Sequence, residues 1–232
     1  MTLLLTELDD VQPRERLAFR RLPQLAFIAF VVFCAVTIAA AWNWTSVVDR
    51  GLRITTWLSN DVLDEVLKEV ERPGQRVVVL PILFVLTALQ SWRIRKAMPI
   101  FAAVLSVAIV NITVGIVKWW SHRATPRLGG PEFFNDQASR VFGAYPSGHA
   151  TNVGMWATLA WYLVFDAPAK LRRTVRAGAV GMVTVIMLCS WARTTHWVTD
   201  LLAGLALGVA VAAASLWLSA RWSGARWSGT RR

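Results

Sequence analysis

The chain has 232 residues, a formal net charge of +11, 55% hydrophobic residues and only 17% charged residues. Ordinary soluble domains carry about 25% charged residues, so this composition excludes a water-soluble globule, and the high apolar content excludes a disordered chain. The basic residues lie between long apolar stretches, which favours membrane topology over nucleic-acid binding. Cys34 and Cys189 lie inside apolar stretches and predict neither a disulfide framework nor a metal site.

Six apolar stretches are long enough to be transmembrane helices, since a span needs about 20 residues. In chain order they cover residues 23–44, 77–92, 98–120, 147–165, 177–192 and 197–220. The sequence therefore predicts an all-α bundle of six transmembrane helices over residues 23–220, with a catalytic core over 98–210. Basic segments over 1–22 and 221–232 flank the bundle.

A further helix is predicted between the first two spans, over residues 60–72. Apolar residues recur there at helical spacing, at Leu63, Val66, Leu67 and Val70. Charged residues occupy the opposite face: Asp64, Glu65, Lys68 and Glu69. The pattern predicts an amphipathic surface helix on the outer leaflet, with a role in gating substrate as the alternative.

The charges of the connections predict the orientation. With six spans, 15 of the 25 Lys and Arg residues fall on the side that holds both termini, and 10 on the other side. The positive-inside rule then places both termini in the cytoplasm. The connection over 121–146 and the junction of the last two spans would face outward from the cytoplasmic membrane.

Unusual polar residues gather on this predicted outer side, where ionisable groups at membrane depth are costly and usually functional. Pro146 disfavours helix before it, so Ser147 is predicted to cap the fourth span, and the unpaired N–H groups of the next turn would bind phosphate. Gly148 lets a ligand approach the backbone, and His149 is placed to donate a proton to a leaving oxygen. The alternative is a plain helix cap with an interfacial histidine.

His196 and Asp200 are four residues apart and would share one face of a helix. The carboxylate could then hold one imidazole nitrogen and leave the other as nucleophile or base, and a buried structural pair is the alternative. Positive charge for phosphate oxygens would come from Lys118, Arg123, Arg127 and Arg193. Headgroup contact or solvation is the alternative for each arginine, and interfacial snorkelling for the lysine.

In combination these residues resemble the type 2 phosphatidic acid phosphatase family, which is related to vanadium haloperoxidases and bacterial acid phosphatases. Its signature reads Lys-x6-Arg-Pro, Pro-Ser-Gly-His and Ser-Arg-x5-His-x3-Asp. The second part is matched in full at 146–149. The first part reads Lys118, six residues, Thr125 and Pro126, and the third reads Cys189, Ser190, five residues, His196, three residues and Asp200.

The resemblance implies a lipid phosphatase that uses no metal and no cofactor. In the mechanism it implies, His196 attacks phosphorus and forms a phosphohistidine, which Asp200 supports by orienting the imidazole. His149 would protonate the leaving group and then activate water. The phosphate oxygens would be held by Lys118, Ser147 and the amide of Gly148.

Both signature arginines are displaced in this chain. Thr125 and Ser190 stand where they are expected, and neither can replace a fixed cation with a bidentate fork. Arg193 lies three residues after Ser190, about 4.5 Å along a helix and on much the same face. We hypothesise that Arg193, with Arg127 or Arg123, restores the phosphate clamp. A defective clamp is the alternative, in a weakly active enzyme or a lipid-phosphate-binding protein.

The predicted substrate is a membrane lipid with a phosphate or diphosphate headgroup. Polyprenyl diphosphate ranks first, because cell-envelope synthesis presents it at the outer face, and phosphatidylglycerol phosphate and phosphatidic acid follow. A phosphotransferase, a lipid-phosphate transporter and a non-catalytic scaffold are the alternatives. Besides the substrate, the expected partners are membrane lipids and not nucleic acid, and the sequence leaves the oligomeric state open.

Overall fold

The computed structural model describes residues 20–53, 61–135, 143–165 and 167–227, with side chains as far as residue 222. Regular structure in these ranges is helical throughout, so the all-α class is confirmed. Most of the predicted N-terminal segment, up to residue 19, lies outside the described residues, and so does the end of the tail, 228–232.

The helices follow the order of the predicted spans. They are α1 (Leu22–Ala41), α2 (Ser46–Gly51), α3 (Asp61–Glu71), α4 (Arg76–Ile94), α5 (Met98–Ser121), α6 (Gly148–Leu163), α7 (Ala169–Ala192) and α8 (Val198–Trp227). Five segments, which contain α1, α4, α5, α7 and α8, are long and apolar enough to cross a membrane. The predicted fourth span, α6, has 16 residues, and the count of six spans stays a prediction.

Two helices run past the predicted ends of their spans. α7 starts directly after Pro168, ahead of the predicted start at 177. Its Arg176 guanidinium lies 4.7 Å from the centre of the Trp161 ring, which holds this basic first half against α6. α8 continues beyond residue 220 into the predicted tail, because Trp222 packs on Phe101 with 4.6 Å between the ring centres.

α8 is the central helix of the bundle. It packs against α6, α1 and α5, and 67% of its most apolar stretch is buried, whereas the other four candidate spans reach 28% at most. The outward faces of those helices expose large apolar side chains such as Phe27, Val77 and Ile112. Apolar exposure on this scale is typical of surfaces that contact lipid.

Glycines bring the N-terminal halves of α6 and α8 into close contact. A Cβ at Gly204 would lie 2.5 Å from the Ser147 carbonyl oxygen, and one at Gly208 would lie 2.2 Å from that of Thr151. Only a residue without a side chain fits at such distances. The Ser147 N–H also donates to the Asp200 carbonyl at 3.0 Å. The starts of both helices are therefore fixed side by side.

α3 forms within the predicted range, and two of its acidic side chains contact the rest of the protein. Val66, on the predicted apolar stripe, is exposed, whereas Glu71 is buried with 2% of its surface exposed. Asp64, which the sequence places opposite the apolar stripe, contacts Arg127 and Arg193 in the bundle. Two acidic side chains of α3 thus face the protein, and the location of this helix on a membrane leaflet stays a prediction.

Candidate active site

Ser147 caps α6, as the sequence predicts. Its backbone is extended (φ −63°, ψ 119°) and its hydroxyl oxygen accepts the Ala150 N–H at 3.3 Å. The first N–H groups of a helix have no partners within the helix and carry the positive end of its dipole. A Cβ at Gly148 would meet no atom within 4 Å. The start of α6 therefore has the N–H groups that an anion would bind and open space beside Gly148.

His196 and Asp200 lie together, although His196 precedes α8 and is not part of it. The His196 Nδ1 atom is 3.6 Å from Asp200 Oδ2. Asp200 in the first turn of α8 reaches back and accepts the Trp197 N–H at 2.8 Å, in the manner of a capping box. This local capping, and not the shared helix face that the spacing predicts, brings the imidazole to the carboxylate.

Arg123 binds Oδ1 of Asp200, the carboxylate oxygen that does not face His196. Its NH1 group donates to Asp200 Oδ1 at 2.5 Å and to the Thr199 hydroxyl at 2.7 Å. Its NH2 group donates to Asp49 Oδ2 at 2.6 Å, and its Nε to the Pro131 carbonyl at 2.6 Å. The guanidinium is fully buried. Four of the five N–H groups of this side chain are thus committed to buried partners, which makes Arg123 a support for Asp200. A contact of Arg123 with substrate phosphate stays a prediction.

Aromatic rings enclose the same guanidinium. Its central carbon lies 5.4 Å from the centre of the Phe133 ring and 5.7 Å from that of Tyr145. The Tyr145 hydroxyl hydrogen-bonds with that of Thr37 at 2.6 Å. Burial raises the pKa of Tyr145, so this hydroxyl stays neutral beside the ion pairs. The ion pairs and hydrogen bonds that hold Asp200 thus form a buried network enclosed by aromatic rings.

His149 faces a carboxylate that sequence reasoning did not identify. Its Nδ1 atom lies 3.6 Å from Glu71 Oε1, at the end of α3. The Ser190 hydroxyl donates to the same oxygen, and Arg193 NH1 donates to Glu71 Oε2 at 2.5 Å. Ser190, one of the two positions where the signature arginine is replaced, therefore binds an acidic side chain. Asp49 is a second carboxylate that the motifs did not indicate.

The two remaining arginines of the predicted clamp lie at the mouth of the site. Arg193 donates through Nε to Asp64 at 3.2 Å. Burial alone would lower the pKa of Arg193, but hydrogen bonds and attraction from Asp64 and Glu71 raise it above its ordinary value. Arg127 donates to Asp64 at 2.5 Å and to the Arg193 carbonyl at 2.8 Å. Both guanidiniums therefore engage α3.

Lys118, at the end of α5, donates to the Gly143 carbonyl and interacts electrostatically with Asp200. His149 interacts electrostatically with Lys118, Arg193 and His196. The structure thus brings these four basic side chains into one site beside the start of α6. Among the basic residues predicted for the site, Arg123 is the one that lies deeper in the bundle, fully buried beside Asp200.

A small, shallow depression opens beside His196. Its lining is mostly apolar and aromatic: Leu52, Pro126, Trp191, Trp197 and Val198, with Asp49, Arg53, Thr194 and His196 among them. An apolar wall next to a basic site suits a ligand with a lipid chain and a charged headgroup.

Comparisons with known proteins concern most of the chain. A family model described as the PAP2 superfamily matches residues 99–223. The crystal structure of a transmembrane PAP2-type phosphatidylglycerolphosphate phosphatase from Bacillus subtilis is similar, with a TM-score of 0.60 and 18% sequence identity. The likeness covers 91% of this chain and 98% of that chain and concerns the fold. No curated protein matches this chain.

Proposed function

Because this chain belongs to the PAP2 superfamily, whose model matches more than half of it, we propose that it hydrolyses a lipid-linked phosphate or diphosphate. One observation carries the proposal: the hydrogen bond from the Ser147 N–H to the Asp200 carbonyl. This bond joins the anion-binding start of α6 to the His196–Asp200 pair. A phosphate at the helix start would then lie next to an imidazole able to attack it.

In the first step, His196 acts as the nucleophile. With Nδ1 turned to Asp200, the lone pair of Nε2 forms a bond to phosphorus while the bond from phosphorus to the leaving oxygen breaks. His149 gives its Nε2 proton to that oxygen. The products of this step are a phosphohistidine and a lipid alcohol, or a lipid monophosphate where the substrate is a diphosphate.

In the second step, water replaces the histidine on phosphorus. His149, now neutral, takes a proton from the water through Nε2 as the water oxygen bonds to phosphorus. The bond between phosphorus and His196 breaks, which releases inorganic phosphate and restores both histidines. No redox change occurs and no metal is needed for the balance of either step.

The phosphate oxygens require fixed donors and positive charge. We assign these roles to the N–H groups of the α6 start, with Gly148 nearest, and to the Ser147 hydroxyl, Lys118, Arg193 and Arg127. Asp64 and Glu71 use two of the five N–H groups of Arg193. We assign the other three N–H groups to the phosphate. Arg193 then takes the place of an arginine that the signature lacks in this chain.

Our substrate order and location rest on the predicted six-span topology. With both termini in the cytoplasm, the starts of α6 and α8 lie at the outer face of the cytoplasmic membrane. Polyprenyl diphosphate is the first candidate there, followed by phosphatidylglycerol phosphate and phosphatidic acid. The apolar depression beside His196 supports a substrate with a lipid chain.

The test is a phosphate-release assay on protein purified in detergent. The panel contains polyprenyl diphosphate, phosphatidylglycerol phosphate and phosphatidic acid, each with and without EDTA. We expect release that EDTA does not reduce and that His196→Ala abolishes. Release that depends on an added divalent ion, or that survives His196→Ala, would contradict the mechanism. Transfer of phosphate to a second lipid, seen by thin-layer chromatography, would identify a transferase instead.

A further inference from the structure

A second pair of imidazole and carboxylate lies across the site from His196 and Asp200. The distance from His149 Nδ1 to Glu71 Oε1 is 3.6 Å, equal to that from His196 Nδ1 to Asp200 Oδ2. We propose that Glu71 is a positioning residue for His149, which keeps a proton on Nδ1 and directs Nε2 to the leaving oxygen. This inference rests on the proposed function and adds a residue that the family signature does not contain.

Glu71 is fixed firmly enough for this role. The carboxylate is buried, with 2% of its side chain exposed. The Ser190 hydroxyl holds Oε1, and Arg193 holds Oε2 at 2.5 Å. Charge-assisted hydrogen bonds to both oxygens prevent the carboxylate from rotating away. A carboxylate fixed beside one imidazole nitrogen selects the tautomer and leaves the opposite nitrogen for proton transfer.

The charges around His149 make this support necessary. Burial disfavours an imidazolium at His149, and so do the positive charges of Lys118 on α5 and Arg193 at the end of α7. His196 faces the same imidazole from the turn before α8. Glu71 from α3 is the group that favours the imidazolium. A general acid must carry its proton when the leaving group departs. His149 Nε2 is buried and has no hydrogen-bond partner among the described residues, as a donor that awaits substrate would be.

The experiment compares Glu71→Gln with Glu69→Gln in the full chain in detergent. Glu69 lies on the same helix, is half-exposed and pairs with Arg72 at 2.8 Å. The measured quantity is kcat/KM, which reports the step that releases the leaving group, for phosphatidic acid and for p-nitrophenyl phosphate. An alkyl oxygen needs a proton to leave and an aryl oxygen hardly does.

We expect Glu71→Gln to lower kcat/KM about thirtyfold for phosphatidic acid but less than about threefold for the aryl phosphate. The basic limb of the pH profile should move down by about one unit, since an imidazolium without a nearby negative charge loses its proton at lower pH. Glu69→Gln should change neither quantity. An equal loss on both substrates with no movement of the pH profile would overturn the proposal.

A second variant covers the case in which Glu71→Gln does not fold. Ser190→Ala removes one anchor of Glu71 and leaves the charge in place, so the same selective loss should appear, at about threefold to tenfold. Unchanged selectivity in a folded Ser190→Ala protein would contradict the inference. If the unmodified chain and Glu69→Gln release no phosphate from any lipid of the panel under Proposed function, the proposed function fails. If the unmodified chain is active and Glu71→Gln shows no selective loss, only the role of Glu71 fails.

Discussion

His196 and His149 each face a buried carboxylate at 3.6 Å, and an arginine holds each carboxylate. The pairs differ in exposure. The His196 side chain is 12% exposed, and Arg123, which holds its carboxylate partner Asp200, is fully buried. The His149 side chain is 31% exposed, and Arg193, which holds its carboxylate partner Glu71, is 14% exposed. The pair formed by His196 and Asp200 is therefore more deeply buried than the pair formed by His149 and Glu71.

This difference matches the two roles in the proposed mechanism. A nucleophile must be held in line with phosphorus, so a rigid and dry support is an advantage. An acid that later activates water must reach both the leaving oxygen and solvent. The comparison therefore predicts that changes to the His196–Asp200 pair or Arg123 act on folding and on the chemical step together. Changes around the His149–Glu71 pair should act on proton transfer and phosphate binding.

The largest effect is expected from His196→Ala. Loss of the nucleophile should reduce phosphate release at least about a thousandfold for every substrate, because no other group can form the phosphoenzyme. The control is His122→Asn, since His122 has a positive φ of 43°, which asparagine tolerates. Release from the His122→Asn protein should stay near that of the unmodified chain. Substantial turnover by His196→Ala would remove the distinction between the two pairs.

The next effect concerns protein stability and compares the buried Arg123 with the half-exposed Arg127. Arg123→Gln leaves the buried carboxylates of Asp49 and Asp200 without their cation, which should cost about 3–5 kcal/mol of unfolding free energy. Arg127→Gln removes a cation that is 47% exposed and should cost less than about 1 kcal/mol. Thermal unfolding in detergent measures both. A stable Arg123→Gln protein with only a raised KM would restore the sequence-based view of Arg123 as a phosphate ligand.

A third prediction concerns the space in front of α6. Gly148→Ala should fold normally, because the added Cβ meets no protein atom within 4 Å. It would intrude where the phosphate binds, so kcat/KM should fall about tenfold to a hundredfold. Gly115→Ala on α5, where the Cβ also meets nothing within 4 Å, is the matched control and should leave kcat/KM unchanged. Full activity of Gly148→Ala would exclude phosphate binding at this helix start.

The smallest effect is expected from changes to Arg193, the proposed replacement for a signature arginine. Arg193→Ala should raise KM for phosphatidic acid about tenfold, through the loss of a charge-assisted contact to phosphate. It should also lower kcat for this substrate, because Glu71 loses one of its two anchors. Arg193→Lys keeps the charge without the fork and should recover part of this loss. Initial rates over a range of phosphatidic acid concentrations measure both variants. An unchanged KM in an active Arg193→Ala protein would mean that the clamp is absent.

The sequence predicts the bundle and one half of the site well. Apolar stretches of span length reveal the helices, because a membrane helix needs continuous hydrophobicity. The cap at Ser147 and the proximity of His196 and Asp200 are local in the chain, so spacing and capping rules find them. Such features need no knowledge of how distant segments pack.

The other half of the site depends on packing between distant segments. Glu71 and Asp64 lie on a short helix between spans, where acidic residues usually face solvent, and no spacing rule connects them to α6 or α7. Arg123 lies two residues before the signature position held by Thr125, which suggested a phosphate ligand. Only its burial against Asp49, itself on the short helix α2, makes it a support for Asp200.

The most direct test of the mechanism is to trap the phosphoenzyme. His149→Ala is mixed with p-nitrophenyl phosphate whose phosphoryl group is radiolabelled, quenched in alkali and digested for mass spectrometry. Since this leaving group hardly needs a proton and water is no longer activated, label should accumulate on His196 in an acid-labile form. The same treatment of the double variant His149→Ala, His196→Ala should leave the protein unlabelled. Label on another residue, or release of phosphate by the double variant, would contradict attack by His196.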